Sequence, residues 1–338
     1  MKNYLTKQIT ALVIVLLCAP AFFSCNKGKS NQLDSALNRT IRIGFDGNLC
    51  QAAMAVAQHK GFFEAEGLKT ELTRSGGGTM DNVRDALVGK KLDTTTSMIA
   101  GWLKPVTNGI DIRFTVGLHT GCTSAFVPAN SNITGFKKGQ TVAITGGFGG
   151  IYHNIANRFI AHDGFMPDDF TWKDFPADQI LLVLQNKQSD VAVISDQLAE
   201  RWVSDGTLRR IRSLNTDDDF KNEACCIMAI AGWFFDENPV TSEKISRAAY
   251  KASLWIDESD ENKRETAQIL FDNGYISGNI DYAFQLLKLW RFGLSNDITE
   301  KSIYDSVNEY QALGVIDKNI DPESFKKQIW QSLNIEEK

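Results

Sequence analysis

"TIRIGFDGNLCQAAMAVAQHKGFFEAEGLKTELTR" (40–74) decides the fold class. Residues 40–46 alternate apolar and polar side chains and stop at a polar, glycine-containing loop, the pattern of a strand with one buried face. Residues 50–67 carry apolar side chains at helical spacing, with stops near Gly61 and Gly67. Residues 68–74 alternate again. Strand, helix and strand in so short a span form a crossover unit, which predicts parallel pairing.

Outward from that unit the alternation persists. "SGGGTMDNVRDALVGKK" (75–91) is a glycine turn opening a helix, "LDTTTSMIA" (92–100) a short strand, "GWLKPVTNG" (101–109) a helix or turn, and "IDIRFTVGL" (110–118) a strand. A second series sets strand-like runs at 123–129, 141–145, 169–175, 189–195 and 207–214 among helical stretches at 151–164, 176–188 and 196–206. "EACCIMAIAGWFF" (223–235) reads as one long apolar strand. From Pro239 the chain turns helical, with stretches at 240–259, 262–274, 279–293 and 300–314. No internal sequence repeat is visible.

The first residues read as an export signal. Lys2 and Lys7 precede the apolar run "ITALVIVLLCAPAFF" (9–23), which is short for a membrane span. Ser24–Cys25 resembles the cleavage site of bacterial lipoprotein precursors, although Phe22 stands where Leu is usual. That resemblance implies a signal peptide 1–24, lipidation at Cys25 and a polar tether over 25–39. At 43 % apolar and 10 % aromatic residues the chain can bury a large core, and its net charge of −5 makes it a poor nucleic-acid binder.

Five segments, in order, resemble the solute-binding proteins of nitrate/sulfonate/taurine-class ABC importers. They are "AVAQHKGFFEAEGLKTEL" (55–72), "ALVGKKLD" (86–93), "NGIDIRFTVGLH" (108–119), "ITGFKKGQTVAI" (133–144) and "DVAVISDQLAE" (190–200). The resemblance implies a two-lobed α/β fold of the type II periplasmic-binding-protein kind. Residues 40–123 plus 231–338 would form lobe 1 and 124–230 lobe 2, with ligand held between them. It further implies a monomeric, extracytoplasmic, lipid-anchored receptor that serves an ABC permease and ATPase, without enzymatic activity or cofactor. The alternatives on the same fold are an enzyme similar to the thiamine-pyrimidine synthases, which carry a cysteine-rich segment, and a metal-binding receptor.

In open α/β sheets ligands bind at the carboxyl ends of strands. This selects Asp46 and Asn48, Gly77 and Thr79, Ser97 and Trp102, His119 and Thr120, Gly147 and Phe148, then His153 and Asp196 as candidate ligand contacts. The glycine loops "SGGGT" and "TGGFGG" each precede a helix, where bare N–H groups attract anions or carbonyl oxygens. Phe148 and Trp102 are candidates to stack on a flat ligand, and Asp196 is equally a candidate helix cap. Basic residues are scarce in these loops, Arg74 being the nearest. Outside the signal, Cys50, Cys122, Cys225 and Cys226 are candidate disulfide partners or hinge thiols. His119 and Cys122 alone supply half of a four-ligand metal site, so no metal is expected unless Cys50 and one of Cys225 and Cys226 complete it. Adjacent cysteines on a strand face opposite ways, so only one of that pair is expected to join.

Overall fold

A computed structural model describes residues 34–75 and 80–335. The signal sequence and Cys25 lie outside the described residues. Asp34–Lys338 form one compact unit, built on two five-stranded sheets.

The opening unit folds as its sequence pattern predicts. β1 (Thr40–Gly44) and β2 (Lys69–Thr73) pair in parallel. Between them the helical stretch breaks in two, α1 (Ala52–His59) and α2 (Phe62–Ala65), because Gly61 takes φ 78°, a left-handed conformation that a helix interior does not use. Then come α3 (Met80–Val88), β3 (Thr94–Met98), α4 (Ile99–Thr107) and β4 (Ile112–His119).

The chain crosses to the second sheet through only Thr120, Gly121 and Cys122. Gly121 is obligatory there, since a Cβ would lie 2.4 Å from the Leu214 backbone carbon. The second sheet contains β5 (Thr123–Pro128), β6 (Thr141–Ile144), β7 (Thr171–Asp174), β8 (Val191–Ser195) and β9 (Leu208–Ser213). Helices α5 (Ile151–His162), α6 (Ile180–Gln185) and α7 (Asp196–Ser204) connect them. The chain then returns as β10 (Cys226–Ala231) to the first sheet.

The strand orders are β2-β1-β3-β10-β4 and β7-β6-β8-β5-β9. Four strands of each sheet run in one direction, and the fifth, antiparallel to both of its neighbours, is the one arriving from the other half: β10 in the first sheet, β5 in the second. The same topology thus occurs twice although no sequence repeat announces it. The sheets are mixed, not purely parallel. "EACCIMAIAGWFF" is not one strand either: it ends at Ala231, and α8 (Gly232–Glu237) follows.

The C-terminal helices are α9 (Pro239–Glu258), α10 (Asp260–Asp272), α11 (Ile280–Leu289), α12 (Asn296–Ala312) and α13 (Pro322–Ile329). The last is absent from the sequence-based expectation. Their starts are set locally: Pro239 sits in the first turn of α9, and Ser259, Asn279, Ser295 and Asp321 each accept a backbone N–H at the next four N-termini. Of these, α9, α12 and α13 pack on β4 of the first sheet, with Ser246 of α9 donating to Thr115 of β4 at 2.9 Å, and α11 packs against α10 and α7.

Candidate functional site

The carboxyl ends of the parallel strands of both sheets open on one cleft. Its main chamber has a volume of about 710 Å³. The first sheet's side supplies Asp46, Asn48, Gln51 and Ser97; the second sheet's side supplies Tyr152, Asp178, Ser195, Gln197, Arg201 and Trp202. A second chamber of about 690 Å³ shares Met80, Ile151 and Tyr152 with the first and reaches Arg84, Lys104 and the glycine loop 146–150.

Each wall residue has a structural reason for its position. Asp46 follows β1, and its carboxylate accepts from the Ser75 amide (3.0 Å) and hydroxyl (2.7 Å), tying down the next loop. Gln51 Oε1 accepts from the Asp46 amide at 2.8 Å and so closes the loop after β1. Ser97 ends β3, and its hydroxyl contacts Met80 Sδ at 3.0 Å. On α7, Gln197, Leu198, Arg201 and Trp202 follow helical spacing and share one face, and Ser195 caps the helix by accepting from the Leu198 amide at 3.3 Å. Two hydrogen bonds join the walls directly: the Leu49 amide donates to Gln197 Oε1 at 2.9 Å, and Asn154 Nδ2 donates to the Ala100 carbonyl at 3.1 Å.

The residues selected from sequence fall into three groups. Asp46, Asn48, Ser97 and Phe148 line the cleft, Phe148 from an exposed position. Gly77 and Thr79 lie outside the described residues. The others stand off the wall. Trp102 is fully buried in α4. His119 and Thr120 are buried at the crossing, where Thr120 Oγ1 donates to Asn215 Oδ1 and accepts from the Arg291 amide, both at 3.1 Å. Gly147 donates its amide to Asp174 Oδ1 at 3.1 Å. His153 Nδ1 accepts from the Gly149 amide at 3.1 Å, its ring edge-on to Trp172, and burial pushes its pKa down. Asp196 is buried against Arg210, 3.2 Å away, and burial pushes its carboxyl up despite that cation.

Sequence reasoning missed Gln51, Tyr152, Gln197, Arg201 and the cations of the second chamber. The helical faces of α3 and α7 carried the signal, since Arg84 lies four residues beyond Met80 and Arg201 four beyond Gln197. Burial pushes the Tyr152 hydroxyl up, so it stays protonated and can donate to a ligand acceptor.

At the floor of the main chamber, which Cys50 and Cys226 line, the two crossings and the turn after β1 bring the cysteines together. Cys50, Cys122, Cys225 and Cys226 are free thiols. Cys122 Sγ lies 3.5 Å from that of Cys225 and 3.9 Å from that of Cys226. Both cysteines of the pair approach Cys122, because Cys225 precedes β10 and is not held to the pleat, but only Cys226 joins the group of ligand atoms, as expected from the sequence. Ligand atoms of Cys50, His119, Cys122 and Cys226 all lie within 4.8 Å of one another.

Among solved structures the fold is similar to the periplasmic nitrate-binding protein of Synechocystis PCC 6803 (TM-score 0.71, 14 % identity, 89 % of this chain and 86 % of that one). It is also similar to the periplasmic aliphatic sulphonate binding protein of Escherichia coli (0.69, 15 %, 87 % and 98 %). A third similar structure is the alkanesulfonate-binding protein of Xanthomonas axonopodis pv. citri bound to MOPS (0.65, 14 %, 87 % and 98 %). No curated protein matches the sequence. The fold is therefore that of the periplasmic binding proteins. The model of the NMT1-like family matches residues 34–271, more than half of the chain, and the protein belongs to that family.

Proposed function

We propose that this protein is the extracytoplasmic solute-binding component of an ABC importer, closing its two halves over a small organic solute and presenting it to a permease and its ATPase. The observation that carries this reading is the cleft, walled from both sheets by polar side chains and bridged by the Leu49–Gln197 hydrogen bond. A ligand touching both walls stabilises the closed arrangement by its differential contacts. Two lobes accord with the strand order, with crossings at 120–122 and before Cys226; β10 (Cys226–Ala231) belongs to the first sheet, so the first lobe resumes at Cys226 and not at 231. Lipidation at Cys25 would anchor a monomeric receptor near its permease.

The cleft's size favours an organic ligand. Its 710 Å³ falls within the roughly 300–1,000 Å³ of pockets for organic ligands, and an inorganic anion such as nitrate would leave most of it empty. Arg201, with Arg84 and Lys104 in the second chamber, suits an acidic end, while Asp46 and Asp178 suit hydrogen-bond donors. Tyr152 and Trp202 offer surface for an apolar body. Among the described residues no helix is long and apolar enough to cross a membrane.

Thermal-shift screening of sulfonates, carboxylates, pyrimidines, amines and nitrate tests the reading. A ligand at 100 times its dissociation constant adds about 2.7 kcal/mol of stability. The expected result is one organic class that stabilises the protein, with affinity reduced about tenfold by Gln197→Ala and by Arg201→Ala. Conversion of the stabilising compound to product by the purified protein, or affinity untouched by both substitutions, would refute it.

A further inference from the structure

We propose that Cys50, His119, Cys122 and Cys226 form a four-coordinate site for a thiophilic cation of the zinc(II) type at the floor of the cleft. Three thiolates and one imidazole are a donor set that zinc takes in closed tetrahedral sites. The donors come from three distant segments: the turn after β1, the first crossing, and the start of the returning strand. Pairing of Cys226 with His119 across β10 and β4 brings the last two together.

The histidine is set up as a ligand. Its Nδ1–H donates to the Thr120 carbonyl at 2.5 Å, which fixes the tautomer and leaves the Nε2 lone pair free. Nε2 is buried and has no hydrogen-bond partner among the described residues. A buried acceptor left unpaired carries a desolvation cost, and metal coordination would offset it. A metal-bound histidine characteristically donates its other ring nitrogen to a carbonyl or carboxylate, as His119 does here. The ring is also held in place, stacked on Trp290 at 4.8 Å and 13°.

The sulfur spacing fits the same reading. With a zinc–sulfur bond of about 2.3 Å, a tetrahedral edge is about 3.8 Å. Cys122 and Cys226 stand 3.9 Å apart, whereas a disulfide requires about 2.05 Å. Small side-chain rotations bring the remaining donors, already within 4.8 Å, to bonding positions. Cys225 is excluded from the four, yet its sulfur is 3.5 Å from that of Cys122, so a Cys122–Cys225 disulfide is the competing state. A bound cation would cross-link the first sheet's cleft-lining turn to both crossings. Cys50 and Cys226 also line the main chamber, but metal content and the cobalt spectrum are read without any solute, so failure of the site and failure of the transport reading are distinguishable.

The test uses the full chain purified without chelator under reducing conditions. The expected result is one equivalent of metal per chain by elemental mass spectrometry. After stripping, cobalt(II) should give the sulfur-to-cobalt charge transfer and the strong visible bands of a tetrahedral thiolate site. Cys122→Ser and His119→Ala should weaken zinc binding, read by competition with a chromophoric chelator, more than about tenfold. Cys225→Ser should keep both the spectrum and the affinity. Because the buried ligand variants could fail to fold, the wild-type and Cys225→Ser spectra decide the matter by themselves. Absence of thiolate–cobalt bands in the reduced wild type, equal loss in Cys225→Ser, or a Cys122–Cys225 disulfide in a parallel preparation isolated without reductant would overturn the proposal.

Discussion

Arg158 on α5 is the most informative residue to perturb. Its helix begins at the glycine loop, carries Tyr152 into the cleft, and ends against the C-terminal helices. The guanidinium is 6 % exposed and pairs with Glu223 at 2.9 Å and with Glu309 of α12. It lies over the rings of Phe220 and Tyr310. Removing one member of a buried ion pair costs about 3–5 kcal/mol, because its partner is left charged without compensation. Here the low end applies. The glutamate side chains keep 20 % and 29 % exposure, and His162 stands 3.3 Å from Glu309. An adjoining cavity of about 20 Å³ has room for a water. Arg158→Met should therefore cost about 3 kcal/mol, and at about 2 °C per kcal/mol for a chain of this size that lowers Tm by about 6 °C.

The pH dependence supplies the sharper check. Burial raises both carboxyls and Arg158 opposes it; Glu309 ends below its ordinary value and Glu223 above. Without Arg158 both folded-state pKa values rise. A raised carboxylate pKa destabilises the folded state at pH above it, and that loss shrinks as pH falls through it. Differential scanning calorimetry from pH 7.5 to 5 should show the gap between Arg158→Met and wild type narrowing. A drop in Tm of less than about 2 °C, or a gap that holds or widens on acidification, would refute the reasoning.

Asp93 gives a second electrostatic test. Burial pushes its carboxyl up, but hydrogen bonds from Arg39 and Arg42 outweigh burial and hold it below the usual range. Its stabilisation is thus present above the ordinary Asp pKa of about 3.9 and lost as pH falls below that value. Asp93→Asn should lower stability at pH 7 by about 2–3 kcal/mol in chemical denaturation, with a smaller deficit at pH 3. For the crossing, Gly121→Ala places a Cβ 2.4 Å from the Leu214 backbone carbon, and overpacking of this kind costs about 1–3 kcal/mol. Limited proteolysis should then cut the 214–225 segment faster than in wild type; unchanged cleavage would show that the segment yields without strain.

What the sequence determined by itself was local. Period-2 alternation in 40–46 and 68–74, helical spacing in 50–67 and the glycines between them specify β1, β2 and the helices joining them, because hydrophobic periodicity and backbone conformation act over a few residues. The same logic locates the cleft: loops at strand carboxyl ends must face one side, and Asp46, Asn48, Ser97 and Phe148 do so. Tertiary structure alone decided which faces meet. The start of α8 inside an unbroken apolar run, where the strand ends at Ala231, depends on a residue 121 positions earlier, just before β4: the Gly232 amide donates to the Asp111 backbone carbonyl, and Gly232 leaves no space for a Cβ beside the Asp111 side chain. His119 reads as a cleft residue from its position at a strand end. It is buried because α11 and the segment after it lay Trp290 and Phe292 against its ring, a contact 171 residues away along the chain (Thr120 to Arg291). The meeting of Cys50 with His119, Cys122 and Cys226 has the same origin. It follows from the insertion of each crossing strand into the opposite sheet, a long-range arrangement that no window of sequence encodes.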